Sequence, residues 1–255
     1  MLNGIDLSQW NSDAQVAKWY PQMDFICHKL TEGKTFTDPK AIARAQMFKG
    51  EKPTFWYHLV RPDNGNTPSE EAANYVSKLA QIEKYGSFGL ALDLECNYVP
   101  YGAPDKTLQW LKELVSNIRK VYPKPVVMYM GDLYPDKWYK ELSAVGAEFW
   151  IAYWSSYAPK HNWLMWQNTS KYEGENLDHD YCSVTLSELW ERINVVDNPA
   201  QLIADSGMTP EEVAKIVLDI IEGKYGCGEE RRRLLGDKYS VCQRVVNMIF
   251  KEVGR

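Results

Sequence analysis

Short apolar runs alternate with longer amphipathic stretches through about the first 195 residues of this chain. Eight of the short runs have the length and the β-branched and aromatic content of strands. They cover residues 3–6, 24–30, 53–58, 89–95, 125–130, 149–154, 163–168 and 177–181. Strands that alternate with helices form parallel sheets, and about eight of them can close into a barrel. The pattern therefore predicts an α/β protein built on a TIM-like (β/α) barrel.

Amphipathic helical patterns lie between several of these strands. We predict helices over residues 37–49, 68–84 and 104–121, where apolar residues recur at helical spacing. The segment 149–181 leaves too little chain for full helices between its strands. We therefore expect an irregular barrel with shortened or missing late helices.

The composition changes after about residue 195. Thr209 and Pro210 supply an N-cap and a first-turn proline, and Glu212 completes a capping box. Two more helical stretches follow, near 229–235 and 239–252, so the C-terminus is predicted to be a small three-helix module. The predicted organisation is a barrel of residues 1–195, a linker of residues 196–208 and a helical module of residues 209–255.

Composition and charge narrow the classes of partner. The 255 residues carry a formal charge of -5, which disfavours a nucleic-acid partner. No apolar run approaches the roughly 18 residues of a transmembrane helix, so we expect no membrane anchoring. The N-terminus lacks the basic and apolar regions of a signal peptide, and the five cysteines form no CxxC pair. These features are typical of a protein made in a reducing compartment, and they leave the oligomeric state open.

Almost every predicted strand ends in an acidic or aromatic residue. In a parallel barrel these ends meet at one rim, where catalytic groups lie. The chain has ten Trp, sixteen Tyr and seven Phe, which indicates a surface that stacks on sugar rings in addition to a core. Carboxylates and aromatics without a His/Cys cluster favour cleavage of a glycosidic bond, in which one acid protonates the leaving oxygen. The candidate acids are Asp6, Asp93, Glu95, Asp178 and Asp180.

Asp93 and Glu95 form the most specific motif, Leu92-Asp93-Leu94-Glu95. Strand alternation places both carboxylates on one side of the strand, about 6–7 Å apart at the backbone. Repulsion between them raises the proton affinity of the less solvated group. Glu95 is longer and nearer the rim, so it is the preferred general acid. The pair could instead bind a metal ion or cap a helix.

Other candidates have plainer interpretations. Asp6 could be an ordinary turn residue, His58 could be a core histidine, and the strand-end Trp and Tyr could belong to the core. Asp178-His179-Asp180 could hold a metal ion. However, the four histidines have neither HxxxH nor HxH spacing, so we predict no metal and no cofactor.

Seven segments match, in order, the motifs of a known enzyme family. They are Gly4-Ile5-Asp6-Leu7-Ser8-Gln9-Trp10, Phe25-Ile26 with Lys29 and Thr31-Glu32-Gly33, Tyr57-His58, Leu92-Asp93-Leu94-Glu95, Trp150-Ile151-Ala152-Tyr153, Trp166-Gln167 and Asp178. In these segments the chain resembles glycoside hydrolase family 25, the muramidases that include many phage and bacterial lysozymes. The resemblance implies an irregular barrel that hydrolyses the β-1,4 bond between N-acetylmuramic acid and N-acetylglucosamine in peptidoglycan.

The resemblance also implies roles for individual residues. Glu95 would be the proton donor, and Asp93 would orient or stabilise the substrate's N-acetyl group as it attacks the anomeric carbon. Either Asp93 or Asp6 could instead be a direct nucleophile. Asp6 and Asp178 would complete the acidic floor, and Asp180 stands where the family often has Asn. The sugar subsites would be lined by Tyr57, His58, Tyr129, Tyr153, Trp166, Gln167 and Asp180.

The C-terminal module resembles the CW-seven cell-wall-binding repeat. The matching residues are Val213-Ala214, Ile220-Ile221, Gly223-Lys224-Tyr225-Gly226, Gly228-Glu229-Glu230-Arg231, Leu234-Leu235, Tyr239, Val241, Gln243, Val246 and Asn247. This likeness implies peptidoglycan as the partner, with Gly226, Gly228 and Arg231 as candidate contacts. The repeat occurs once, whereas tandem copies gain from multivalency. The alternative is a helical cap that only stabilises the barrel.

These observations together predict a modular lysozyme of the phage endolysin type. We expect it in the host bacterial cytoplasm until release and then at the cell wall. Two other classes stay open: a catalytically silent sugar-binding protein that uses the same aromatic cleft, and a metal-dependent hydrolase.

Overall fold

A computed structural model describes residues 1–99, 104–194, 203 and 206–252. The chain divides into two compact units, Met1–Val195 and Val196–Arg255. Most of the predicted linker, residues 196–208, lies outside the described residues. Within the described part of the chain, no helix combines the length and the apolar character needed to cross a bilayer.

Nine strands form a single sheet in the first unit. They are β1 (Leu2–Leu7), β2 (Phe25–Glu32), β3 (Phe36–Thr37), β4 (Thr54–Leu59), β5 (Gly89–Asp93), β6 (Val126–Gly131), β7 (Ala147–Ala152), β8 (Met165–Thr169) and β9 (Asp178–Cys182). Their order is β1-β9-β8-β7-β6-β5-β4-β2-β3, and a further pairing of β1 with β2 closes the sheet. Eight strands therefore form a closed barrel, with the two-residue β3 attached at its side. The predicted α/β barrel is confirmed.

The direction of β9 corrects one expectation of a wholly parallel sheet. This strand runs antiparallel to both neighbours, β1 and β8, whereas the other barrel strands pair in parallel. The chain between β8 and β9 is too short for the crossover that a parallel pair needs, so it turns back as a hairpin. The first residue of β9 thus lies at the rim where the parallel strands end.

Six helices accompany the barrel in the described residues. They are α1 (Asp13–Trp19), α2 (Ala41–Phe48), α3 (Pro68–Ile82), α4 (Pro104–Val121), α5 (Asp136–Ser143) and α6 (Leu186–Ile193). The sequence pattern does not predict α1, α5 or α6, which have only seven or eight residues each. Between the end of β7 and the start of β9, the chain forms one 3-10 turn, Tyr172–Gly174, and no α-helix. This confirms the irregular late part of the barrel.

Strand alternation divides the core into an outer layer and a barrel interior. Leu90 and Leu92 of β5 belong to the outer layer, under the helices, while Ala91 points inward. Two glycines, Gly4 and Gly89, make room inside the barrel for the rings of Phe25 and Phe55. A Cβ on Gly4 would lie 2.4 Å from the ring of Phe25, which pairs with it across β1 and β2. Large rings thus fill the interior only because the facing positions carry no side chain.

Helix α6 closes the end of the barrel opposite the catalytic rim predicted above. The chain leaves β9 at Cys182, which pairs with Leu2 at the beginning of β1. Leu189 and Ile193 of α6 then pack into the inner cluster. The helix does not cover the other end, where Asp6 and Asp93 lie.

Three helices form the second unit, as predicted: α7 (Pro210–Ile221), α8 (Gly228–Leu235) and α9 (Tyr239–Glu252). The capping box is present, since Thr209 Oγ1 accepts from Glu212 N at 3.2 Å and Glu212 Oε2 accepts from Thr209 N at 2.9 Å. The unit has its own small core of Val213, Val217, Ile220, Leu235, Cys242 and Val246.

Candidate active site

Three strands bring carboxyl groups together at the open end of the barrel. Asp6 is the second-last residue of β1, Asp93 ends β5, and Asp178 begins β9. Asp6 pairs directly with Asp178 across β1 and β9. The prediction that acids from the beginning, middle and end of the barrel sequence converge is confirmed for these three residues.

Asp6 is buried at the centre of this group. Its Oδ2 accepts a hydrogen bond from Gln167 Nε2 at 2.8 Å. Burial raises the pKa of Asp6 well above its ordinary value, and the charges of Asp178 and Asp180 raise it further, although the Gln167 bond opposes the shift. Burial also raises the pKa of Asp178, to about 6.

Asp93 and Glu95 occupy the end of β5 and the turn that follows it. The strand ends at Asp93, two residues earlier than predicted, and Glu95 precedes the 3-10 turn Cys96–Tyr98. The backbone nevertheless stays extended at Glu95, and Leu92 and Leu94 both pack into the outer core. Alternation therefore holds through residue 95.

Asp93 is the member of this pair with a raised pKa. Its pKa lies well above the ordinary value because it is buried and because Glu95 is close, while the charge of Lys29 lowers it. Asp93 Oδ1 has no hydrogen-bond partner among the described residues. A buried carboxyl with an unsatisfied oxygen can bind a polar group of a ligand without first releasing a protein partner.

Glu95 lines a groove of about 510 Å³ beside the acids. Leu133, which is 98% exposed, and Tyr134 contribute to its apolar side. Tyr129 also lines the groove, and its hydroxyl donates to Gln167 Oε1 at 2.9 Å. Tyr129 thus connects the groove to the residue that holds Asp6.

Gln167 is the central amide of the site. Its Nε2 donates to Asp6, and its Oε1 accepts from both Tyr129 Oη and Trp154 Nε1, each at 2.9 Å. These three bonds fix which end of the amide faces Asp6, because Tyr129 and Trp154 are donors. Tyr57 also lies inside the barrel and contacts the ring of Trp150 edge-on.

Trp154 is a site residue that the sequence reasoning missed when it selected the neighbouring Tyr153. Tyr153 is 39% exposed and contributes its backbone to Gln167 and Trp166. The signal was available: an inward-facing residue at 152 predicts the next inward side chain at 154 if the alternation continues beyond β7.

A second missed group lies at the end of β2. Lys29 Nζ donates to Glu32 Oε2 at 2.7 Å, and Arg61 Nη1 donates to Glu32 Oε1 at 2.9 Å. Burial raises the pKa of Glu32, but these bonds and charges outweigh it and hold the pKa below the ordinary value. Lys29 is also the cation whose charge lowers the pKa of Asp93. The network therefore supplies positive charge next to the acids.

His58 does not reach the rim, and the expectation that it lines a sugar subsite is corrected. Its side chain is fully buried on the outer face of β4, opposite in direction to Tyr57. His58 Nδ1 bonds Thr31 Oγ1 at 2.8 Å, and Nε2 bonds Glu71 Oε2 of α3 at 2.9 Å. It is a core histidine that joins the sheet to a helix.

Trp166 and Asp180 require the same kind of correction. Trp166 is 4% exposed and packs beside Trp163 and Tyr181, on the face of β8 opposite to Gln167. Asp180 faces the interior of the barrel and is 0% exposed. Its Oδ1 accepts a hydrogen bond from Trp150 Nε1 at 2.7 Å. Neither side chain is placed to line a sugar subsite.

Arg231 organises the predicted contact loop of the second unit. Its Nε donates to the carbonyl of Gly226 at 3.0 Å, and Nη1 donates to Gln243 Oε1 at 2.8 Å. Gly226 and Gly228 have φ of 61° and 55°, values that favour glycine. Arg231 therefore holds a loop whose shape depends on both glycines.

The described residues contain no group of three or more His, Cys, Asp or Glu side chains arranged to hold a metal ion. Instead, Asp6 accepts a hydrogen bond from an amide, Asp180 from an indole and Glu32 from an ammonium group. Such a site can donate and accept protons and can stabilise a developing positive charge.

Comparison with solved structures supports the fold. The chain is 22% identical to a family GH25 lysozyme from Aspergillus fumigatus, with a TM-score of 0.60, over 76% of this chain and 99% of the other. It is 19% identical to the catalytic domain of endolysin ply40 from bacteriophage P40 of Listeria monocytogenes, with a TM-score of 0.58, over 74% and 97%. The CTP1L endolysin matches over 98% of this chain and 100% of its own, at 20% identity and a TM-score of 0.56.

Family models give the assignment. The CW_7 repeat matches residues 212–250, whereas no curated protein matches the chain. The model of glycosyl hydrolases family 25 matches residues 5–177, which is 173 of the 255 residues. This region includes three of the candidate acids, Asp6, Asp93 and Glu95.

 Those three acids thus fall inside the matched region, and Asp178 follows it directly. The chain belongs to glycosyl hydrolases family 25 and is a glycoside hydrolase of the lysozyme type, an enzyme that hydrolyses peptidoglycan.

Proposed function

We propose that this enzyme cleaves the β-1,4 bond between N-acetylmuramic acid and N-acetylglucosamine, with Glu95 as the proton donor. The observation that carries the proposal is the position of Glu95, which lines the groove close to the half-buried Asp93 and the buried Asp6. A carboxyl at the wall of a groove can reach a glycosidic oxygen bound there. The deeper acids lie where positive charge on the sugar would be stabilised.

In the proposed reaction, Glu95 gives its proton to the glycosidic oxygen as the bond from that oxygen to the anomeric carbon breaks. The acetamido oxygen of the same sugar donates an electron pair to the anomeric carbon and forms a cyclic intermediate. Water then attacks this carbon, the bond from the carbon to the acetamido oxygen breaks, and the acetamido group is regenerated. The attacking water gives a proton to Glu95, which restores the enzyme. The scheme is substrate-assisted, an exception to the use of two carboxylates on the enzyme.

Asp93 is proposed to hold the acetamido group during that attack. It is half-buried, and its Oδ1 has no hydrogen-bond partner among the described residues. It can therefore accept a hydrogen bond from the acetamido N–H as positive charge develops. Direct attack by Asp93 or Asp6 is the competing role, and it would produce a covalent glycosyl-enzyme instead. Tyr57, Tyr129 and Trp154 are proposed to contact the sugar rings.

The helical unit is proposed to bind the cell wall. The CW_7 match and the loop held by Arg231 support this role. We propose that residues 209–255 form the binding module and residues 196–208 the linker, and that the protein acts as an endolysin, made in the host cytoplasm and released to the wall. Its partner is peptidoglycan rather than nucleic acid, in keeping with the net charge of -5.

Mass analysis of digested peptidoglycan tests the reaction. Fragments with N-acetylmuramic acid at the reducing end are expected. Fragments that end in N-acetylglucosamine, or released stem peptides, would contradict the proposed bond. Trapping a covalent glycosyl-enzyme at Asp93 or Asp6 would contradict substrate assistance while leaving the bond assignment intact.

A further inference from the structure

Asp180 is buried below the site with half of its hydrogen-bonding capacity unused. It is 0% exposed, and its backbone pairs with Gly4 of β1 and Gln167 of β8. Oδ1 accepts from Trp150 Nε1 at 2.7 Å. Oδ2 is buried and receives no hydrogen bond from any donor in the described residues. An unsatisfied, buried carboxylate oxygen is costly, so this position needs an explanation.

The pairing of the strands places the carboxyl of Asp6 next to Asp180. Asp180 pairs with Gly4, two residues before Asp6 on the same face of β1, and with Gln167, whose amide bonds Asp6. The two carboxyls interact directly. When both are ionised, each presents only acceptors, and the two negative charges repel at a site where both side chains are buried. One proton between them removes the repulsion and satisfies the open oxygen at the same time. The contact is therefore stable with one proton and unstable with none.

Among the described residues, none of the groups that act on Asp6 and Asp180 carries a positive charge, in contrast to Asp93, which the charge of Lys29 reaches. The titratable groups that face the pair are all neutral or negative: Asp178 on β9, Cys27 on β2, Tyr57 on β4, Asp93 on β5 and Tyr129 on β6. The neighbours on β7 and β8, Trp150 and Gln167, are neutral donors. Within the described residues, no Lys, Arg or His forms an ion pair with Asp6, Asp178 or Asp180. Only a proton can offset the buried charge.

The hydrogen bonds indicate which residue carries the proton. Asp6 already accepts from Gln167 Nε2 and is slightly more exposed, and both features favour its ionised form. Asp180 uses Oδ1 as an acceptor and has Oδ2 free to carry hydrogen. We propose that Asp180 is protonated and donates its O–H to Asp6, which makes it a positioning residue for that acid. Burial raises the pKa of both carboxyls, in agreement with a retained proton.

This inference rests on the proposed function only where it speaks of catalysis. Asp6 would be held from two sides, by Gln167 and by the neutral Asp180. Loss of the proton would push the two carboxylates apart and move Asp6 relative to Asp178, its partner across the strands.

The variant Asp180→Asn tests the proton directly. An amide has the shape of the acid, accepts from Trp150 and donates to Asp6, but it carries no titrating proton. Infrared spectra at neutral pH should contain a protonated-carboxyl band that is stronger in the wild-type protein than in Asp180→Asn by the absorbance of one carboxyl, because the other carboxyls with a raised pKa, such as Asp93, contribute equally to both. Asp105→Asn, at an exposed carboxylate on α4, is the matched control and should keep the band. An unchanged band in Asp180→Asn would overturn the proposal.

Kinetics separate positioning from simple folding. Asp180→Asn should keep KM and most of kcat, whereas Asp180→Leu, which cannot donate, should lose kcat by about tenfold or more. Equal loss in both folded variants would overturn the positioning role. If the wild-type protein has no muramidase activity but the infrared result holds, the proposed function fails and the shared proton stands. If Asp180→Leu does not fold, the infrared comparison still decides.

Discussion

Asp6 and Asp178 lie directly opposite each other, on strands that run in opposite directions. Asp6 is near the end of β1 and Asp178 is the first residue of β9. Because β9 is antiparallel, its beginning meets the end of β1 at the open rim. Two acids 172 positions apart in the sequence thus become neighbours, and the charge of Asp178 helps to raise the pKa of Asp6.

Replacing the proposed donor should abolish the chemistry without abolishing wall binding. We expect Glu95→Gln to lower the rate of wall lysis by about 10²–10⁴-fold, because an amide cannot protonate the leaving oxygen. The variant should still sediment with cell walls. Glu113→Gln, at an exposed position of α4, is the control and should lyse walls normally. Full activity of Glu95→Gln would refute the donor assignment.

Removing the central amide should affect both stability and turnover. Gln167→Leu deletes a donor to Asp6 and the acceptor shared by Tyr129 and Trp154. We expect the free energy of unfolding to fall by about 1–3 kcal/mol and kcat to fall by about tenfold or more. Urea unfolding and steady-state kinetics measure the two effects, with Gln22→Leu at an exposed position as the control. A normal kcat in Gln167→Leu would show that the orientation of Asp6 does not matter.

A glycine inside the barrel should tolerate no side chain. A methyl group on Gly4 would lie 2.4 Å from the ring of Phe25, so Gly4→Ala should lower the free energy of unfolding by about 1–3 kcal/mol. Gly131→Ala is the matched stability control, because a Cβ there meets no atom within 4 Å. Equal unfolding midpoints for the two variants would contradict the interior packing.

The loop between β7 and β8 should loosen as pH rises. His161 Nδ1 pairs with Asp132 at 2.8 Å and Nε2 with Asp136 at 3.1 Å, and its ring stacks on Tyr139 at 3.8 Å. Burial lowers the pKa of His161, but the hydrogen bonds and charges of the two aspartates outweigh it and raise the pKa above the ordinary value.

The raised pKa of His161 determines the direction in which the stability of the loop changes with pH. A histidine with a raised pKa in the folded state contributes stability that is present below about pH 6.5, the unfolded value, and is lost as pH passes the folded value. Hydrogen exchange of residues 155–163 should therefore accelerate with rising pH beyond the intrinsic chemical rate, and His161→Gln should remove this excess. An identical excess in the variant would contradict the stabilisation of the loop by the contacts of His161 with Asp132 and Asp136.

The contact loop of the helical unit should depend on one arginine. Arg231→Ala removes the bonds to Gly226 and Gln243. We expect weaker sedimentation with cell walls and an unchanged rate on short soluble peptidoglycan fragments, which do not need the module. Arg233→Ala, at an exposed position of the same helix, is the control. Unchanged wall binding by Arg231→Ala would argue for a helical unit that has no binding role through this loop.

Local patterns in the sequence were sufficient for much of the architecture. The strands β4 and β6 and the helices α3 and α4 have strong periodicity, and the structure has them close to the predicted bounds. The short helices α1, α5 and α6 escape such patterns, because seven or eight residues give two turns and too few apolar repeats to recognise.

The sequence by itself determined the barrel class and the convergence of Asp6 and Asp93, since both follow from alternation and from the rule that parallel strands end at one rim. Only the tertiary structure decided that β9 runs antiparallel, that His58 and Trp166 face outward, and that Trp154 reaches Gln167. The tertiary structure also decided that Asp180 is buried and interacts with Asp6. The physical reason is that strand direction and side-chain contacts depend on pairings between residues far apart in the chain, which no local pattern records.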